Sequence, residues 1–136
     1  VKHPLAVCND GSPAAFYIRS ASPKAWIVHQ QGGWWCWNDY SCQVRWEHFS
    51  GSTHPATEHR HLMSSKDLAN TTTTFDEFNG EKNTGILQSS PEVNPDFHNA
   101  SKVFIVYCSS DSHAGNRTNG KWHFRGKAIV QAVISE

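Results

Sequence analysis

The sequence predicts an α/β fold, the opening part of an open sheet with helices packed on it. Three observations carry that expectation. Two short strand-like runs, at 14–19 and 25–30, follow one another across a brief turn. Residues 101–108, Ser-Lys-Val-Phe-Ile-Val-Tyr-Cys, form a near-continuous apolar run, the pattern of a strand covered on both faces. Segments 41–49 and 124–136 space their apolar residues as helices do, and helices interleaved with strands are the order of an α/β sheet.

Each element has its local reason. Cys8-Asn9-Asp10-Gly11-Ser12-Pro13 is turn chemistry, Asp-Gly followed by Ser-Pro. Residues 14–19 (Ala-Ala-Phe-Tyr-Ile-Arg) read as the first strand and 25–30 as the second. The link is five residues long, so an antiparallel hairpin is expected. The run Ala25-Trp26-Ile27-Val28 reads as buried. Residues 41–49 read as a helix capped by Ser41 or Asp39, with Val44, Trp46 and Phe49 as an imperfect apolar face. Residues 51–55 break it, and 61–67 read as another short helical piece. Residues 69–84 are polar, with four successive threonines, and read as a long inserted loop. After the strand at 101–108, residues 109–120 read as a polar loop. The last helix, at 124–136, gathers Phe124, Ala128, Ile129, Ala132 and Val133 on one side. The whole length, 136 residues, reads as part of one domain with no internal boundary.

Composition excludes several classes. Lys plus Arg and Asp plus Glu are 12 each, so the formal charge is zero. No basic stripe is present for nucleic acid, and no apolar run approaches membrane-spanning length. Four cysteines (Cys8, Cys36, Cys42 and Cys108) lack the close spacing of a zinc knuckle. Asn-x-Ser/Thr sequons stand at Asn70, Asn99 and Asn116. Three sequons with an even cysteine count point to a secreted, disulfide-bonded protein. The sequence starts at Val1 and reads as processed or cut from a longer chain. His48, His54, His59 and His61 lie close together, but among Gly51, Ser52, Thr53 and Pro55 they read as a histidine-rich surface loop; no metal or other cofactor is expected.

The chemistry is concentrated at His29-Gln30-Gln31-Gly32-Gly33-Trp34-Trp35-Cys36-Trp37-Asn38. A strand feeds into two glycines, and bulky aromatics follow. An oxyanion loop needs this combination: backbone N–H groups aimed at a developing negative charge beside a wall that excludes water. The same stretch also fits a strand that ends in a glycine turn beside a tryptophan-rich core. Asp111 reads as an ordinary loop aspartate, and Trp26, Trp46 and Trp122 as packing residues. The nucleophile elbow of a serine hydrolase, Gly-x-Ser-x-Gly, is absent from the sequence.

Several motifs, in order, resemble the Notum branch of the pectin acetylesterase family. They are Cys8-Asn9-Asp10-Gly11-Ser12-Pro13-Ala14, Gly32-Gly33-Trp34-Trp35-Cys36-Trp37-Asn38, Leu62-Met63-Ser64-Ser65-Lys66-Asp67 and Thr84-Gly85-Ile86-Leu87. Asn94-Pro95, the run Val103-Phe104-Ile105-Val106-Tyr107-Cys108-Ser109-Ser110-Asp111, and Phe124-x-Gly126 complete the series. The resemblance implies an α/β-hydrolase that is secreted and cleaves carboxylic esters with a Ser-His-Asp triad. It implies that the N–H groups of Gly33 and Trp34 belong to the oxyanion hole and that Trp34 and Trp35 lie at the acyl pocket. It also implies the disulfides Cys36–Cys42 and Cys8–Cys108. Gln31 departs from the family's usual Glu before Gly-Gly. The triad residues lie downstream in the family, so the expected partner is the downstream C-terminal part of the same protein, as continuous or separate chain. The expected substrate is an acylated protein or polysaccharide. The competing expectation is a non-catalytic hydrolase relative that serves as a secreted binding or structural module.

Overall fold

The computed structural model describes residues 1–50, 62–66, 68 and 85–136. The expectations for 51–55, for the loop at 69–84 and for His54, His59, His61 and Asn70 lie outside them. The chain divides into two compact units. One comprises Val1–Ala15, Gln30–Thr71 and Val106–Glu136; the other comprises Phe16–His29 and Thr72–Ile105.

The second unit holds a three-stranded sheet. Its strands are β1 (Phe16–Arg19), β2 (Ser22–Gln30) and β3 (Ala100–Ile105). Their spatial order is β1-β3-β2, so the hairpin expected between β1 and β2 does not form. The central strand takes the place between them. β3 is buried at all six positions, Ser101 and Lys102 included, which suits a central strand. β1 runs antiparallel to it, with Phe16 opposite Ile105 and Arg19 opposite Lys102. On the other side Ser22 N–H donates to Asn99 O, and His29 stacks on Phe104, so β2 runs in the direction of β3. The Ser101 side chain holds the crossing: its hydroxyl accepts from Ala21 N–H and donates to Ser22 O. β2 is less covered than its apolar run suggests, with Trp26 and Val28 both about half exposed. A turn of 3-10 helix at Gly85–Leu87 precedes β3. Asn94 secures it, donating to Ile86 O and Gln88 O and accepting from Phe97 N–H.

In the first unit, the expected turn at 8–13 forms. Gly11 adopts φ +82°, which an L-residue resists, and its N–H donates to Cys8 O. Residues 62–66 bend rather than make the expected helical piece, because the side chains at 10–12 and 64–65 bind one another instead. Asp10 accepts from Ser12 N–H and Oγ and from Ser64 Oγ, and Ser65 N–H donates to Ser12 Oγ. Lys66 adds an ion pair at 3.1 Å, though it is mostly exposed and so contributes little.

Burial alone would raise the Asp10 pKa. The hydrogen bonds from Ser12, Ser64 and Lys66 outweigh it and hold the carboxyl below its ordinary value of 3.8. A depressed carboxyl contributes stability that is present above the unfolded pKa and lost as pH falls through the folded one. Asp10→Asn in the full-length protein is therefore expected to cost about 1–3 kcal/mol at neutral pH. Melting curves of the native protein and the variant should converge as pH drops below that carboxyl range. Curves that stay parallel would exclude this role.

Helix α1 (Asp39–Ser50) starts two residues before the expected 41, and its cap is Asn38 rather than Ser41 or Asp39. Asn38 Oδ1 accepts from Ser41 N–H at 2.8 Å, and Ser41 Oγ accepts from Asn38 N–H at 3.1 Å, a reciprocal box. Its buried face is Cys42 and Arg45 with Trp46 beside them, while Val44 is exposed. The polar reading of 109–120 misses a hairpin, β4 (Arg117–Asn119) with β5 (Trp122–Phe124). Asn119-Gly120, with Gly120 at φ +58°, is its signal. Phe124 therefore lies in β5, and helix α2 starts later, at Gly126–Ser135. The remaining four predicted apolar residues, Ala128, Ile129, Ala132 and Val133, are its buried face. Cys36, Cys42, Met63, Trp122 and Phe124 form one apolar cluster, with Trp46 packed on it.

Candidate active site

Both disulfides join as the resemblance implies, Cys8 to Cys108 and Cys36 to Cys42. The second closes a link of six residues in which the tryptophan loop passes into α1. The loop carries no ladder from Gln31 to Trp37, so other contacts must shape it.

Gln31 supplies the first. Its side-chain oxygen accepts from Tyr107 N–H at 2.9 Å, past the end of β3. The position needs an acceptor, and Gln serves as a carboxylate would. Gly33 supplies the second. A Cβ there would lie 2.4 Å from Tyr107 Cδ1 and 2.8 Å from Cε1, so the backbone lies against the ring as only glycine permits. Gly32 by contrast faces open space, with nothing within 4 Å of an added Cβ. Cys36 N–H donates to Ser110 O at 3.2 Å, the third contact.

Tyr107 is itself held fast. It is 1 % exposed, and its hydroxyl accepts from Ser112 N–H at 2.9 Å. Its ring tilts against His113 with centroids 4.8 Å apart. Burial pushes its pKa up, so the phenol stays protonated near neutrality. Arg45 is buried nearby, and burial brings its guanidinium down to about 10, still charged at neutral pH; the electrostatic influence of Tyr107 opposes that fall. Arg45 Nε donates to Ser110 Oγ at 2.9 Å, which donates to Asn9 Oδ1 at 2.5 Å. Asn9 Nδ2 in turn donates to Ser109 O and His123 O. The turn motif at 8–11 is thus tied to the segment after β3 by a disulfide and a buried polar network.

Trp34, Trp35 and Trp37 are 71, 64 and 61 % exposed, although Cys36 between them is buried. Trp34 lies parallel to His48 at 6.4 Å, which gives that histidine a stacking contact. Trp122 lies in the core, its indole N–H donating to Asp39 Oδ1 at 2.8 Å. Asp111 is no ordinary loop aspartate: it accepts from Ser109 Oγ at 2.6 Å and from Gly126 N–H at 2.8 Å, closing the N-terminus of α2. Gly115 and Gly126 make room for it. Asn99 and Asn116 are exposed. The structure thus gathers Gly33 with three side chains that sequence reasoning left out, the amide of Gln31, Tyr107 and His113, while Trp34 points to His48. Gln31 was noticed only as a departure. Nothing in the local sequence marks His113, because its role depends on a loop that returns to Gln31 from 82 residues away.

Comparison with known proteins places the chain in a family. The chain is 41 % identical to the palmitoleoyl-protein carboxylesterase NOTUM of Drosophila melanogaster over 137 residues, covering 95 % of this chain and 18 % of that protein. It is 38 % identical to the Homo sapiens protein of the same name, covering 95 % of this chain and 23 % of that one. An inactive palmitoleoyl-protein carboxylesterase notum1b of Danio rerio is 36 % identical, and there the match covers 90 % of this chain and 77 % of the relative. The crystal structure of the Wnt deacylase Notum from Drosophila superposes with a TM-score of 0.76 at 38 % identity, over 99 % of this chain and 35 % of that one. The chain thus spans about a fifth of the length of the carboxylesterases it matches, and its fold is a portion of an α/β-hydrolase. Matched by the sequence model of that family over residues 1–136, the chain belongs to the pectinacetylesterases.

Proposed function

We propose that these residues are the N-terminal portion of a single α/β-hydrolase domain in a secreted carboxylic-ester hydrolase, and that they supply its oxyanion loop and part of its acyl pocket. The observation that carries this reading is the seat of Gly33 on the Tyr107 ring, three residues before the Cys36–Cys42 bond. A backbone pressed against a buried ring and stapled on its far side is preorganised, and preorganised N–H groups stabilise a developing oxyanion at little reorganisation cost.

In this reading the N–H groups of Gly33 and Trp34 face the carbonyl oxygen of the bound ester. Trp34 and Trp35, exposed and apolar, line the acyl chain. The attacking serine and its histidine and aspartate come from downstream chain, as does the remaining wall of the pocket. The acyl donor is an acylated protein or polysaccharide, the former matching the names of the carboxylesterase relatives. Extracellular placement is supported by two disulfides and by sequons whose Asn99 and Asn116 are exposed.

The test is the full-length protein with a fluorophosphonate probe and short-chain nitrophenyl esters. Stoichiometric labelling of one serine and turnover are expected, and neither from residues 1–136 alone. A full-length protein with a serine elbow that does neither would remove the catalytic reading. The second reading, a non-catalytic module, is favoured by the inactive notum1b relative, most of whose length this match covers. Absence of a Gly-x-Ser-x-Gly elbow from the full-length protein would select it.

A further inference from the structure

The segment after β3 turns back in an unusual way. Ser110, Ser112 and His113 all have positive φ, at 52°, 55° and 58°. Left-handed L-residues persist only where surrounding contacts over-determine them. Here Ser110 is held by Arg45, Asn9 and Cys36, Ser112 N–H donates to the Tyr107 hydroxyl, and the His113 ring is placed against Tyr107. Its Nε2 lies 3.0 Å from Gln31 O. A carbonyl oxygen can only accept, so Nε2 carries the hydrogen. Its Nδ1 is buried without a hydrogen-bonding partner among the described residues. The ring rests on Tyr107, which also meets the Gly33 backbone, the Gln31 side chain and Ser112 N–H.

Both polar ends of Gln31 are therefore held. The side chain is tied to Tyr107 N–H and the carbonyl to His113. The Gln31 carbonyl belongs to the peptide plane that leads into the Gly-Gly pair. Gly32 makes no side-chain contact of its own and faces open space, so this plane is the last fixed point before Gly33. A peptide plane free to rock at that point would rotate the planes that follow it.

We propose that His113 is a positioning residue. Through the hydrogen bond from Nε2 to Gln31 O it fixes the plane from which the N–H groups of Gly33 and Trp34 are aimed. The assignment rests on the hydrolase reading for its catalytic consequence, but not for its mechanical one. His113 touches no substrate; its effect passes through the loop. A phenylalanine at 113 would keep the ring against Tyr107 and lose the donor, whereas a glutamine would return an N–H donor without the ring.

The test uses the full-length protein with H113F and H113Q, and reads amide hydrogen exchange alongside ester kinetics. In H113F, exchange across residues 32–36 should accelerate about tenfold through local opening. Its kcat for a nitrophenyl ester should fall about 10- to 100-fold, the loss that small misplacements produce, with KM within about twofold of native. H113Q should restore both readouts to within about threefold of native, since the hydrogen bond itself is the cause. Unchanged exchange in H113F would overturn the proposal, as would equal damage in both variants, which would mark the ring as packing alone. Faster exchange with unaltered kcat would also overturn it. A native protein that neither labels nor turns over esters would remove the hydrolase reading by itself, and the exchange pattern would still decide whether His113 holds the loop.

Discussion

Gly33→Ala in the full-length protein is expected to lower kcat for ester hydrolysis by about 10²–10³, the usual loss when an oxyanion donor is displaced. The added methyl would sit 2.4 Å from Tyr107 Cδ1, so something must shift. Tyr107 cannot readily yield. Its backbone N–H is bound to Gln31, its hydroxyl accepts from Ser112, and its ring is wedged against His113. The loop must lift instead, carrying the Gly33 and Trp34 N–H groups with it. Overpacking of this kind also costs about 1–3 kcal/mol of stability, so labelled protein must be counted with the fluorophosphonate probe before rates are compared. Gly32→Ala is the internal control, because an added methyl there meets nothing within 4 Å. Equal losses in the two variants would detach catalysis from the seat on Tyr107.

Removal of the Cys8–Cys108 bond, by replacing both cysteines with alanine, is expected to destabilise the full-length protein by about 4–5 kcal/mol in the chain-entropy account. The bond closes a separation of 100 residues, so the unfolded chain gains much freedom when it is lost. Both cysteines are fully buried, and the neighbouring Asn9 binds Ser109 O and His123 O, so the native side loses packing too. The Cys36–Cys42 bond spans only six residues and should contribute about 2 kcal/mol by the same account. Denaturant unfolding of the two double variants measures the difference. If the short link proved the more stabilising, the loop-entropy explanation would fail.

Much of the chain was legible because its signals are local. The apolar run at 101–108 names a strand that must be covered; β3 is Ala100–Ile105 with all six residues buried, and 106–108 stay buried but leave the strand. The spacing of Ala128, Ile129, Ala132 and Val133 names the buried face of α2. Asp-Gly names the turn at Gly11, and Gly32-Gly33 beside the tryptophans names the loop at which the chemistry is proposed. The disulfide pairing came only from resemblance, since four cysteines alone allow three pairings.

Two misses are local: the hairpin at 117–124, signalled by Asn119-Gly120, and the cap at Asn38, three residues before Ser41. The others depended on a partner distant in sequence. Short spacing between β1 and β2 predicts a hairpin, but their ladders are filled by β3, about 75 to 90 residues later. Serine 64 and serine 65 have no reason to leave a helical turn until Asp10 and Ser12 offer them hydrogen bonds. Arg45 is a surface residue by composition, and its bond to Ser110 within a buried network holds it inward. By itself the sequence determined which segments bury apolar surface and where the backbone can turn, because periodicity and glycine act over a few residues. Tertiary structure alone decided the order of the strands, the seat of Gly33 on Tyr107 and the grip of His113 on Gln31. Those depend on which groups meet across the fold, and a buried donor or acceptor takes whatever partner the packing brings to it.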